Sequence, residues 1–88
     1  IQCEEFDLGG NGVAYYDNTP GSSVTPLVNF RGDEDVDVEN CTDAGGGFNI
    51  GYATSGEWLE YTVNVARANK YNLSLRAACN GTGRTVSL

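Results

Sequence analysis

The chain has 88 residues, with twelve acidic side chains against five basic ones and a formal net charge of −7. That length allows one small domain with a modest core, which a metal ion, a disulfide or further chain would help to hold. The acidic balance argues against a nucleic-acid partner, because phosphate backbones select basic surfaces, and against an anionic membrane surface; neutral ligands, calcium and plain solubility all fit it.

Twelve Gly, five Tyr, three Phe and one Trp, with segments rich in Val, Thr, Tyr and Ile, point to strands joined by glycine turns. The absence of histidine removes zinc sites of the usual kind and a His-activated nucleophile. Cys3, Cys41 and Cys79 match no zinc spacing; one disulfide plus one thiol would suit a secreted, extracellular protein. No apolar run approaches the ~20 residues of a membrane helix. Without a signal peptide before Ile1, the chain reads as a mature or excised piece.

In chain order, Ile1 to Phe6 reads as a short strand carrying Glu4 and Glu5. A glycine-rich loop over 9–12 leads into the short run Val13–Tyr16, and the Asn, Thr, Pro, Gly and Ser of 17–26 signal an ordered loop. Asp35–Glu39 alternates, which turns Val36 and Val38 inward and leaves Asp35, Asp37 and Glu39 as a solvated edge or cation ligands. The glycine triplet 45–47 precedes Phe48–Tyr52. Trp58–Val65 has the clearest strand pattern, with Leu59, Tyr61, Val63 and Val65 on one face. Tyr71, Leu73, Leu75 and Ala77 repeat it after a hairpin-sized loop, so two antiparallel strands over one core are expected. Residues 84–88 resemble the opening of one more strand, which reads as a domain incomplete at its C-terminus.

Trp58 falls on the polar face of its strand, with Glu60, Thr62, Asn72, Ser74 and Arg76 beside it. A large aromatic there can cover the C–H face of a pyranose while neighbouring polar groups bond its hydroxyls. The competing reading is a loop that covers the ring and makes it part of a satellite core. Enzymatic glycoside cleavage needs two carboxylates facing across a cleft, whereas Glu57 and Glu60 fall on opposite faces of one strand. The N-x-S/T triplets at Asn40, Asn72 and Asn80 carry no weight outside a eukaryotic source.

Several of these segments together resemble family 6 carbohydrate-binding modules. Ile1-Gln2-Cys3-Glu4-Glu5-Phe6-Asp7 is similar to the family's opening "E-A-E-x-Y" strand. The stretch from Gly12 to Gly21 and the run Glu34–Glu39 resemble the long-loop subset found on agarases and laminarinases. The most specific match is Asp43-Ala44-Gly45-Gly46-Gly47-Phe48-Asn49-Ile50-Gly51-Tyr52 followed by Gly56-Glu57-Trp58-Leu59-Glu60-Tyr61. It resembles the pattern "D-x-G-G-G-x-N-V-G-[YW]…G-[DE]-W-x-x-[YF]". The likeness extends over residues 1–78.

The resemblance implies an all-β, β-jelly-roll sandwich with a structural calcium and two sugar sites. Tyr52 would be the stacking aromatic of a loop site and Glu39 its hydroxyl-binding acid, while Trp58 would serve the sheet face. Asn72 and Arg76 join Trp58 by strand parity alone. The calcium positions fall on Gln2 and Glu4, with an amide where the family has a carboxylate. Cys3 replaces a small residue, and Cys41 is unusual at its place. Residues 1–88 are thus expected to be the N-terminal part of a single module. Its partners would be a polysaccharide or oligosaccharide and an attached catalytic domain, the module itself cleaving nothing. A structural or adhesive calcium-stabilised β-sandwich is the alternative, and it expects Tyr52 and Trp58 to be packed away.

Overall fold

The computed structural model describes residues 1–88, which form strands, turns and irregular chain without helix. The strands in chain order are β1 (Tyr15–Tyr16), β2 (Val38–Asn40), β3 (Phe48–Ile50) and β4 (Trp58–Leu59). They make two small antiparallel sheets, β1 with β4 and β2 with β3. Tyr15 lies opposite Leu59 and Tyr16 opposite Trp58. In the second sheet Val38, Glu39 and Asn40 face Ile50, Asn49 and Phe48. The expected all-β class is what the chain adopts, and two sheets around one core are consistent with a β-sandwich.

Period-two alternation decides which side chains enter the core. Tyr15 points in and Tyr16 out, and Val36 and Val38 are buried as their pattern requires. With Phe6 and Ala14 they form the core, against which Val28, Phe30, Phe48, Ile50, Leu59 and Tyr61 pack. Phe6 meets Tyr15 edge to face at 5.4 Å, and Phe30 stacks on Phe48 at 5.1 Å. Burial pushes the Tyr15 phenol up, and pushes that of Tyr61 up to about 12, where its hydroxyl donates to the Cys3 carbonyl at 2.7 Å.

Arg31 fastens the first segment to this core. Its guanidinium lies 3.4 Å from the centroid of the Phe6 ring. It donates to the Phe6 carbonyl and, at 3.0 Å, to that of Asp7. It also forks onto Glu34 at 2.8 and 3.0 Å. Arg31 has φ of +51°, a left-handed conformation that costs a non-glycine residue about 1 kcal/mol or more. Five donors in a fixed planar array hold it there.

The loop over 17–26 is ordered by carboxylates. Asp17 accepts from the Thr19 amide and hydroxyl at 2.8 and 2.7 Å, Asp35 from the Gly21 amide at 2.8 Å, and Asp37 from the Ser23 amide. Asp37 is therefore no member of a solvated edge: it is only 4% exposed, because its carboxylate is turned under the loop to bond those groups. The Gly21 amide and the Asn11 side chain hold Asp35 below the usual carboxylate range.

Of the expected strands, those over 1–6, 71–77 and 84–88 do not form, and the one over 58–65 forms only at its start. Ile1–Phe6 contains a turn, closed by the Glu5 amide on the Gln2 carbonyl at 3.0 Å, because no strand lies beside it to complete a ladder. The Trp58–Val65 strand stops at Leu59; Glu60 still bonds Ala14 and Asp7 through its backbone, and Thr62 turns to the Asp7 carboxylate at 2.7 Å. Tyr71–Ala77 has no ladder either, and Val63, Val65, Tyr71, Leu73 and Leu75 are exposed. Alternation gives those segments an apolar face, yet no second strand pairs with them. All three cysteines are free thiols.

Candidate functional site

The β2–β3 register places Glu39 directly opposite Asn49. The Asn49 amide donates to Glu39 Oε1 at 2.8 Å. Beneath the same carboxylate lies Gly51, where a Cβ would sit 2.8 Å from Oε1, 3.0 Å from Cδ and 3.4 Å from Oε2. The carboxylate thus lies flat over a bare Cα, and only glycine leaves that room. Gly51 is itself anchored by its amide on the Asp37 carbonyl at 2.8 Å.

Tyr52 follows immediately, at φ +51°, and its residue is 64% exposed. A left-handed tyrosine is strained, and such residues cluster at ligand sites. The hairpin therefore brings the sequence-expected acid and aromatic together: the Glu39 carboxylate rests against the residue preceding Tyr52. Asn49 and Gly51 were not among the expected site residues. Both stand in the motif, and cross-strand pairing of position 39 with 49 is the signal that identifies Asn49.

Trp58 lies on the outward side of β4 and remains 43% exposed, so no loop covers it. Tyr16 faces it across the strand pair, also outward. Asn72 and Arg76 are exposed in the segment without strands, so no ladder sets them beside Trp58 as strand parity expected. Arg76 reaches Asp43 at 3.2 Å, an open ion pair that fixes little.

The family description "Carbohydrate binding module (family 6)" matches residues 28–88. The chain belongs to that family. No curated protein matches it. Binding carbohydrate is accordingly the function of this family 6 module, and by itself it is not an enzyme. The matched span contains Glu39, Tyr52 and Trp58 and leaves Gln2, Glu4 and Tyr16 outside it.

For calcium, the module offers Glu4, a largely buried residue whose carboxylate oxygens still reach solvent, with Oε1 4.0 Å from where a Gly47 Cβ would be. Gln2 is exposed, and it is its backbone carbonyl, not its side-chain amide, that accepts from the Glu5 amide. No group of three His, Cys, Asp or Glu side chains converges anywhere in the chain. One carboxylate and one amide fall short of the six to eight oxygens calcium takes, leaving carbonyls and water to supply the rest.

Proposed function

We propose that this module holds a polysaccharide such as agarose, a β-1,3-glucan or a related glycan, and thereby keeps an attached, secreted glycoside hydrolase on its substrate. The observation that carries this reading is the pairing of an uncovered Tyr52 with a carboxylate pinned at one oxygen. A pyranose laid on the ring buries its C–H face. Asn49 occupies Oε1 of Glu39, so the remaining lone pairs of the carboxylate accept from sugar hydroxyls in a fixed direction. Such orientation before binding reduces what ordering would otherwise cost.

No bond is broken in this scheme. Glu57, the acid nearest Trp58 in sequence, has both oxygens engaged by Thr54, at 2.6 Å from the amide and 2.9 Å from the hydroxyl. The benefit to a tethered enzyme is effective concentration. Trp58 supplies a second contact on the sheet face. Calcium belongs to this reading through Glu4, whose carboxylate oxygens make no hydrogen bond within the chain and so are free to ligate a cation. The structural or adhesive alternative requires packed rings, and both rings are open.

The test is titration of tryptophan fluorescence with agarose and laminarin oligosaccharides, with and without EDTA. Saturable binding that Tyr52→Ala abolishes supports the loop site, and loss in Trp58→Ala places sugar on the sheet face. Weakening by EDTA supports calcium. Absence of binding to every glycan with calcium present overturns the proposal.

A further inference from the structure

The β1–β4 pair carries an aromatic residue that family membership does not supply. Tyr16 lies directly opposite Trp58, and their partners Tyr15 and Leu59 turn toward the core. Opposed residues of an antiparallel pair have Cβ atoms about 5 Å apart and share one face. Tyr16 is 44% exposed, nearly the same as Trp58. The ring pairs that pack on each other are Phe6 with Tyr15 and Phe30 with Phe48, and neither Tyr16 nor Trp58 belongs to one.

The position of β1 is fixed before any ligand arrives. The Gly12 amide donates to the Tyr15 carbonyl at 2.6 Å, and the Glu60 amide to that of Ala14 at 2.9 Å. A polar rim sits at one end of the pair. Asn18 donates through its side chain to the Thr54 hydroxyl at 2.8 Å and through its backbone to Glu57 at 3.4 Å. The Thr54 hydroxyl in turn donates to Glu57 at 2.9 Å. Asn18 retains its amide oxygen and a second N–H for a ligand hydroxyl. The charged groups of this rim and its flank, Glu57 and Asp17, are acidic, which disfavours an anionic glycan.

We propose that Tyr16 and Trp58 form a two-ring platform that takes consecutive pyranose units of a neutral glycan chain, with Asn18 bonding their hydroxyls. The inference rests on the carbohydrate-binding reading above and adds to it a sugar-contacting residue and a preference for internal stretches of chain. Two rings side by side present a length of surface, whereas a lone ring such as that of Tyr52 suits a single unit.

Calorimetric titration of the protein with agarohexaose and laminarihexaose tests this, comparing wild type with Tyr16→Val, Tyr16→Phe and Tyr52→Ala. Valine keeps a strand-favouring residue opposite Trp58 but cannot stack. Tyr16→Val is expected to weaken binding by roughly three- to tenfold and Tyr16→Phe by less than about twofold. The Tyr16 ring resonances of the wild-type protein should shift on titration, a readout that needs no variant. Wild-type binding with an unchanged affinity in Tyr16→Val and unmoved Tyr16 resonances overturns the platform and leaves the loop site standing. No wild-type binding to either sugar overturns both.

Discussion

Residues 4–61 and residues 62–88 are built from similar alternating sequence, yet only the first region is a folded core. Every buried residue lies between Glu4 and Val38, and all four strands end by Leu59. Beyond Glu60 no backbone group bonds another backbone group. Charge divides at the same place: all twelve acids fall at or before Glu60, while Arg67, Lys70, Arg76 and Arg84 are four of the five bases. Periodicity gives a segment one apolar face, but a strand forms when a neighbour accepts its N–H groups and a core accepts that face. The first region has both conditions, and the second has neither.

The sharpest way to break this contrast is to truncate one side chain in each region. Phe6→Ala removes a ring from under Arg31 and beside Tyr15 and should cost about 3–5 kcal/mol in urea unfolding. Leu75→Ala should stay within about 0.5 kcal/mol, as for other exposed positions. A comparable loss in Leu75→Ala would mean that the second region is packed in solution.

Arg31→Lys comes next. Lysine keeps the charge but loses the planar fork to Glu34 and the two carbonyl contacts, and about 1.5–3 kcal/mol of stability should go with them. A midpoint within error of wild type would show that the first segment is held by burial alone.

Gly51→Ala should separate binding from folding. Gly51 lies outside the left-handed region, so alanine strains no backbone, and the close contact it makes is with the end of the Glu39 side chain. Sugar affinity should fall several-fold while the urea midpoint stays within about 0.5 kcal/mol. In a Glu39→Ala background the same change should do nothing further, which a double-mutant cycle will read directly.

The smallest effects concern pH. Thr62 hydrogen bonds hold Asp7 below its ordinary value, as Gly21 and Asn11 hold Asp35. Their contribution is present above the unfolded value near 3.9 and fades as pH falls through the lower native values. Tyr61 acts in the opposite direction: its contribution is complete below about 10 and lost as pH rises toward about 12. Tyr61→Phe should therefore flatten the alkaline limb of a stability–pH curve, and Thr62→Val should slightly flatten the acid limb.

Much of the site was legible in the sequence because it lies in a local hairpin. The glycine triplet and the spacing of Glu39 and Tyr52 place acid and aromatic at one end of β2–β3, and parity places Trp58 outward. Tyr16 was not legible, since its position depends on a pairing across more than forty residues that periodicity does not report. Asp37 was misplaced for a related reason: a strand-parity argument does not know that a distant loop will offer it an amide and a hydroxyl. Asn72 and Arg76 followed from a hairpin whose two strands never pair.

The carboxylates under the 17–26 loop also govern how proteases meet this molecule. A surface stretch of Asn, Thr, Pro, Gly and Ser is ordinarily a favoured cleavage site, because it can unfold locally into an enzyme's groove. Here three aspartates hold its amides at Thr19, Gly21 and Ser23, so opening the loop means breaking charge-assisted bonds first. The loop is shielded by chemistry that its composition conceals, and a protease should find it a poor site for as long as those carboxylate contacts are in place.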